Sequence, residues 1–165
     1  MDYGSVSGGA LPLSNATAVW AAGNGMNLQS STLKVDESGK PFHIQQAEQI
    51  RLYKEAWVKA GHQREPRVSV SRSIFALITE QDRHYFGQQG KGGDSFGYIE
   101  ADQRAVFGKS YAAEPDQLIK DLAQDEAIQE ADTLLLTIPN TLGVDYNVHV
   151  LSSILEHVAP ALGWR

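Results

Sequence analysis

The sequence contains no cysteine, which excludes disulfides, thiolate nucleophiles and thiolate metal sites and leaves the compartment open. It also lacks any apolar run near the roughly 20 residues of a membrane-spanning helix, so no membrane partner is expected. Positive charge is scarce: 14 Lys and Arg stand against 20 Asp and Glu, for a net charge of −6. General nucleic-acid binding needs a basic face, and that partner class is set aside, although one local phosphate pocket stays compatible with the charge. The opening residues MDYGSVSGGALPL lack the basic start and continuous apolar core of a secretory signal, so a cytoplasmic protein is expected. The histidines, His43, His62, His84, His149 and His157, never fall at ligand spacing with a carboxylate on one face, and no metal site is expected. His149, beside an apolar stripe, reads as structural. There is no internal repeat, heptad array or domain linker.

What is present is ordinary globular composition, 42% hydrophobic and 21% charged over 165 residues, enough for one domain with a real core. Residues 1–13 are rich in Gly and Ser and read as an irregular lead-in; 14–165 read as the α/β domain. Ser14 is placed to cap a helix over Asn15–Ala22, and Gly23-Asn24-Gly25 stops it. Met26–Leu33 is extended, with Asn27, Gln29 and Ser31 on one face. Phe42–Ala60 is a helix whose Ile50, Tyr53, Trp57 and Ala60 share a face, with Arg51 and Glu55 spaced for an outer pair. Arg67–Leu77 is a strand. Thr79–Asp82 starts a short helix that fails at Gly87, and Gln88–Asp94 is expected to be mobile. A helix is expected around Glu100–Phe107, and Glu114-Pro115 opens another with Leu118, Ile119 and Leu122 inward. Ala131–Ile138 is the most apolar strand, expected to be buried on both faces. A final helix carries Val144, Val148, Leu151, Leu155, Val158 and Leu162 as a stripe that should pack on the sheet.

This order gives about three to four parallel strands joined by right-handed crossovers, few for the length. Two architectures fit: a small three-layer α/β domain, or part of a (β/α) barrel. Both place chemistry at the carboxyl ends of the strands.

Several residues there carry possible chemistry. Ser14 and Thr17, with the free N–H groups of a helix start, make an anion site or an ordinary cap. Asn27, Gln29 and Ser31 line a pocket or wet one strand face. Arg72, alone among Val68, Val70 and Ile74, reaches a phosphate or anionic substrate, pairs with a core carboxylate, or sits at an exposed strand end. Ser69, Ser71 and Ser73 take the opposite face, as small residues under helices. Asn140, in Pro139-Asn140-Thr141, either bonds a cofactor or substrate or caps the next helix. Trp20, Trp57 and Trp164 read as packing residues.

Three segments, SNATAVWAAGNGMNLQSSTL, PFHIQQAEQIRLYKEAWVKAGHQREPRVSVSRSIF and ADTLLLTIPNTLGVDYNVHVLSSILEHVAPALGWR, occur in the order found in the C-terminal half of bacterial luciferase-like flavin monooxygenases. The chain resembles that family over residues 14–165. The resemblance implies the C-terminal half of an eight-stranded (β/α) barrel, with Met26–Leu33, Arg67–Leu77 and Ala131–Ile138 as its last three strands. Residues 1–13 depart from the pattern where the fifth strand belongs, and the first four strands have no counterpart. It implies that the loop of Ser14, Asn15 and Thr17 holds the phosphate of FMN. Asn27 and Gln29 then lie near the flavin ring, and Arg72 and Asn140 near the substrate. It implies oxidation of a small organic substrate by reduced FMN and oxygen, with a flavin reductase as possible partner and a deazaflavin coenzyme as the alternative cofactor. An open half-barrel is expected to form a homodimer or other homo-oligomer through its sheet, and to fall short of full turnover. The alternative is a non-catalytic truncated flavin-binding or scaffold protein. No catalytic residue is assigned.

Overall fold

The computed structural model describes residues 14–35, 38–100 and 103–164; the expected lead-in at 1–13 lies outside the described residues. Ser14 caps α1 (Asn15–Gly23), its Oγ accepting the Thr17 N–H at 3.2 Å. Gly25 then turns the chain at φ 66°, a conformation that glycine adopts without strain. The extended stretch that follows is shorter than its sequence suggests. β1 is Leu28–Gln29 alone, and after Ser30 the chain turns away into β2 (Leu33–Val35).

Helix α2 (Phe42–Ala60) buries Ile50, Tyr53 and Trp57 as the spacing predicts, while Ala60 is exposed. Arg51 does not pair with Glu55: it reaches Glu126 Oε2 at 2.7 Å and Glu130 Oε1 at 2.9 Å. β3 (Val68–Arg72) and β4 (Ile74–Ala76) are one extended run interrupted at Ser73. α3 (Glu80–Phe86) begins with a capping box between Thr79 and Asp82. Where a helix was expected, β5 (Ser95–Glu100) and β6 (Gln103–Phe107) form an antiparallel hairpin. Gly97 and the aromatic and β-branched residues around it disfavour a helix, and β2 pairs antiparallel with β6 as a third strand. β7 (Tyr111–Ala113), α4 (Pro115–Ala123), α5 (Glu126–Glu130), β8 (Thr133–Leu136) and α6 (Val144–His157) complete the chain.

The parallel sheet has the order β1-β3-β8, and β7 runs parallel to β4. The register pairs Gln29 with Ser69, Ser69 with Thr133 and Ser71 with Leu135, so these side chains share one face. None of them is buried, and Ser71 Oγ and Thr137 Oγ1 lie 3.0 Å apart. The serines therefore line an open sheet face rather than sitting under helices. Leu28, Val68, Val70 and Arg72 are buried on the other face, beneath the helices. The result is a mixed α/β domain with a parallel sheet and flanking helices, without a closed barrel among the described residues.

The burial expected of β8 fails, and that expected of the α6 stripe holds only in part. β8 is not buried on both faces: Leu135 is 39% exposed, because it projects from the open sheet face that it shares with Ser71. The α6 stripe splits: Val144, Val148 and Leu155 point outward at 77%, 56% and 64% exposure, whereas Leu151 is half-buried, Val158 is buried and Leu162 packs on the core as expected. Val150 and Ile154, outside the expected stripe, also face the core; the helix is apolar on more than one side, so periodicity alone does not choose. The segment Gln88–Asp94, expected to be mobile, is exposed over residues 88–93 and makes specific contacts at two points. Its 3-10 turn Gln89–Lys91 brings Gly90 so close to β7 that a Cβ would lie 1.7 Å from the Ala112 carbonyl oxygen. Asp94 then accepts the Phe42 N–H at 2.7 Å and the Lys109 N–H at 3.0 Å.

Candidate functional site

The α1 start and the carboxyl end of β1 are tied together by one buried glutamine. Gln49 donates to the Ser14 carbonyl at 3.0 Å and accepts from Ser30 Oγ at 2.8 Å. Ser14 Oγ and Thr17 Oγ1 lie 3.1 Å apart at the helix N-terminus. The buried ammonium of Lys34 stands beside them, donating to Asn15 Oδ1 at 3.1 Å and to the Gln45 carbonyl at 3.3 Å. Two hydroxyls, backbone N–H groups of a first helical turn and one cation make a donor set suited to a phosphate. The side-chain oxygen of the neighbouring Gln46 is buried without a hydrogen-bond partner among the described residues.

Asn27 stands elsewhere. At the amino end of β1 it accepts from Arg64 Nη1 at 2.7 Å and from the Arg67 N–H at 3.3 Å, which braces the turn before β3. Gln29 is exposed on the open sheet face. Arg72 is buried and already neutralised. Its Nε and Nη2 bond both oxygens of Asp125 at 2.7 and 3.0 Å, and its Nη1 donates to the Ser71 carbonyl at 2.8 Å. The core-carboxylate alternative is the geometry found. Tyr111 donates to Asp125 at 2.7 Å as well. Burial, then the charge and hydrogen bond of Asp125, push the Tyr111 hydroxyl far above its usual range. Burial alone raises the Asp125 pKa, but the Arg72 and Tyr111 bonds and the Ile128 N–H outweigh it and hold the carboxyl below its ordinary value. Arg72, Asp125, Tyr111, Phe42 and Asp94 line a hollow of about 280 Å³.

Asn140 is exposed in the turn after β8 and does not cap α6, whose cap residue is Gly143 at φ 82°. Of the tryptophans, Trp57 is buried and Trp164 packs on the core, whereas Trp20 is 60% exposed. The structure thus groups Ser14, Asn15 and Thr17, and leaves Asn27, Gln29, Arg72 and Asn140 apart from that group. Lys34, Gln49, Asp94 and Asp125 join these sites from segments that carry no local signal of their partners.

No family model matches this sequence, and no curated protein does. Among solved structures, the monooxygenase RslO1 from Streptomyces bottropensis superposes on 90% of this chain with a TM-score of 0.58 at 16% identity. The chain spans 46% of that protein, less than half its length. At this identity the likeness establishes a shared fold. Among the described residues no helix is long and apolar enough to cross a membrane.

Proposed function

We propose that this chain is the C-terminal half of a luciferase-like flavin-dependent monooxygenase barrel and grips the phosphate of FMN at the start of α1. The observation that carries this reading is the cluster of Ser14, Thr17 and Lys34 around one helix N-terminus. A helix start favours an anion by up to about 1 kcal/mol, and the hydroxyls and ammonium add charge-assisted hydrogen bonds. Reduced FMN, when bound, supplies the oxygen chemistry on a small organic substrate. The residues of this chain bind and orient. Ser14 and Thr17 donate to phosphate oxygens, and Asn15 holds Lys34 beside them. Gln29 and the open serine face wall one side of the ring, and Asn140 offers its amide to the substrate at the strand ends. Arg72, its charge spent on Asp125, stiffens the floor of the adjoining hollow.

The half-length match and the uncovered β8 edge favour a second reading, a flavin-binding or scaffold piece without turnover. In either case the exposed Val19 and Trp20 of α1, and Val144, Val148 and Leu155 of α6, are the surfaces on which a second copy docks. A flavin reductase is the partner for reduced flavin.

FMN titration of the parent and of a Ser14→Ala/Thr17→Ala double variant tests the phosphate reading. The double variant is expected to bind FMN at least about tenfold more weakly, while loss of the cap costs roughly 0.5–2 kcal/mol of stability. Equal binding by both proteins, or by neither, overturns it. A deazaflavin coenzyme in the same titration decides between the cofactors. Oxygen uptake with NADH and a flavin reductase separates the enzyme from the scaffold.

A further inference from the structure

Asp82 of α3 is only 2% exposed, yet its carboxylate accepts a full set of donors. Oδ2 takes the Thr79 N–H at 2.7 Å, the Thr79 hydroxyl at 2.8 Å and the Ile78 N–H at 3.2 Å. These bonds close the cap of α3. Oδ1 takes two donors from α6, the Tyr146 hydroxyl at 2.5 Å and His149 Nε2 at 2.9 Å. Burial alone raises the Asp82 pKa, but the bonds from Tyr146, Thr79 and His149 outweigh it and hold the carboxyl down at about 2. An ionised carboxylate facing Nε2 fixes the neutral imidazole's proton on that nitrogen. Nδ1 is then left as an acceptor, and it has no hydrogen-bond partner among the described residues.

A cap needs none of what surrounds this nitrogen. His149 is 34% exposed and opens on a groove of about 430 Å³ that it shares with Tyr85, Leu142, Asp145 and Tyr146. The Tyr85 and Tyr146 rings meet edge to face, 5.3 Å apart at 89°, and the His149 ring lies 5.4 Å from Tyr146. A second hollow of about 350 Å³ shares Tyr85 and Leu142 and runs on past Phe75, Phe86 and Pro139 toward the carboxyl ends of β4 and β8. Neither hollow is lined by Lys or Arg, and the Asp145 carboxylate stands at the groove. An anion is disfavoured there. An aromatic body carrying one weakly acidic hydroxyl matches both the rings and the single open acceptor.

We propose that His149, oriented by Asp82, is the proton acceptor for an aromatic hydroxyl compound bound between α3 and α6. The O–H bond of the ligand breaks, its proton passes to Nδ1 and the electron pair stays on the ligand oxygen. Nε2–H keeps its bond to Asp82, whose charge offsets the imidazolium. The proton returns to water on release. Asp82 is a positioning residue, Tyr146 holds the same oxygen, and Tyr85 and Asp145 are the other titratable groups facing the ring. The site shares no residue with the α1 anchor and stands without the flavin reading.

The test is titration of the whole chain with 4-nitrophenol below the pH at which the free probe ionises and at a pH where the His149 ring resonances of the free protein are those of the neutral imidazole, read by its phenolate absorbance and by those resonances. Saturable binding, growth of the phenolate band and movement of those resonances to the imidazolium position are expected. His149→Gln, whose amide reaches the Nε2 position and keeps a donor to Asp82 but offers no Nδ1, is expected to weaken binding about tenfold and abolish the band while keeping the parent's unfolding transition. The control 4-nitroanisole, which has no hydroxyl proton, is expected to bind parent and variant alike. Absence of 4-nitrophenol binding, binding without the phenolate band, or a His149→Gln variant that behaves as the parent overturns the proposal.

Discussion

Arg72 and Asp125 face each other in a two-bond fork, 2.7 and 3.0 Å, at 3% and 0% side-chain exposure. Arg72→Met leaves a buried carboxylate without its counter-charge and is expected to destabilise the fold by about 3–5 kcal/mol. Asp125→Asn removes the charge at the other end and is expected to cost a similar amount. Urea denaturation of the two single variants and the Arg72→Met/Asp125→Asn double variant checks this. The double variant should lose clearly less than the sum of the singles, because the shared interaction is lost only once.

Acid weakens this protein through Asp82. Its folded pKa of about 2 lies below the ordinary 3.8, so the folded state binds the proton less readily than the unfolded chain. The resulting stability is present above about pH 4 and is lost as the pH falls toward 2. The shift corresponds to about 2 kcal/mol, and the lowered Asp125 carboxyl acts in the same direction. Denaturant midpoints measured from pH 6 to pH 2 should fall, and Asp82→Asn should start lower and flatten the slope.

Hydrogen exchange should find its slowest amides in Val68–Arg72. β3 is paired on both sides, by β1 and β8, and its Val68 and Val70 are fully covered. The Leu-rich β8, paired by a described strand on one side only, should exchange faster. Protection greater in β8 than in β3 would contradict this ranking.

Self-association, if it uses the outward face of α6, should fail when that face is charged. Val148→Glu with Leu155→Glu replaces two side chains at 56% and 64% exposure and should leave the unfolding midpoint within about 0.5 kcal/mol of the parent. Light scattering at micromolar concentration should show the parent associated and the double variant monomeric.

Local chemistry made much of this fold legible. Ser14, the Thr79–Asp82 box and Pro115 mark helix starts that the structure keeps, because a cap is decided within a few residues. What the sequence hides is pairing over distance. The Ser95–Phe107 hairpin depends on β2, whose partners in β6 lie about seventy residues further along the chain, and the burial of Val150 and Ile154 instead of Val144 and Val148 depends on where β4 sits. The same holds for the candidate sites. Ser14 and Thr17 are found together because they lie on one turn, whereas the partner of Arg72 is separated by 53 residues and carries no motif. His149 is likewise separated from its partner Asp82 by 67 residues, a pairing that no local pattern announces.

The Asp94 carboxylate gives helix α2 its missing first acceptor from 52 residues further along the chain, while Pro41 offers no side-chain cap. During folding, that bond waits until the hairpin region has closed its loop. The first turn of α2 is therefore expected to be completed late, after the barrier. Asp94→Ala should accordingly raise the unfolding rate and leave the refolding rate nearly unchanged. Stopped-flow measurement of both limbs reads this directly, and a variant that refolds more slowly instead would move the start of α2 into the folding nucleus.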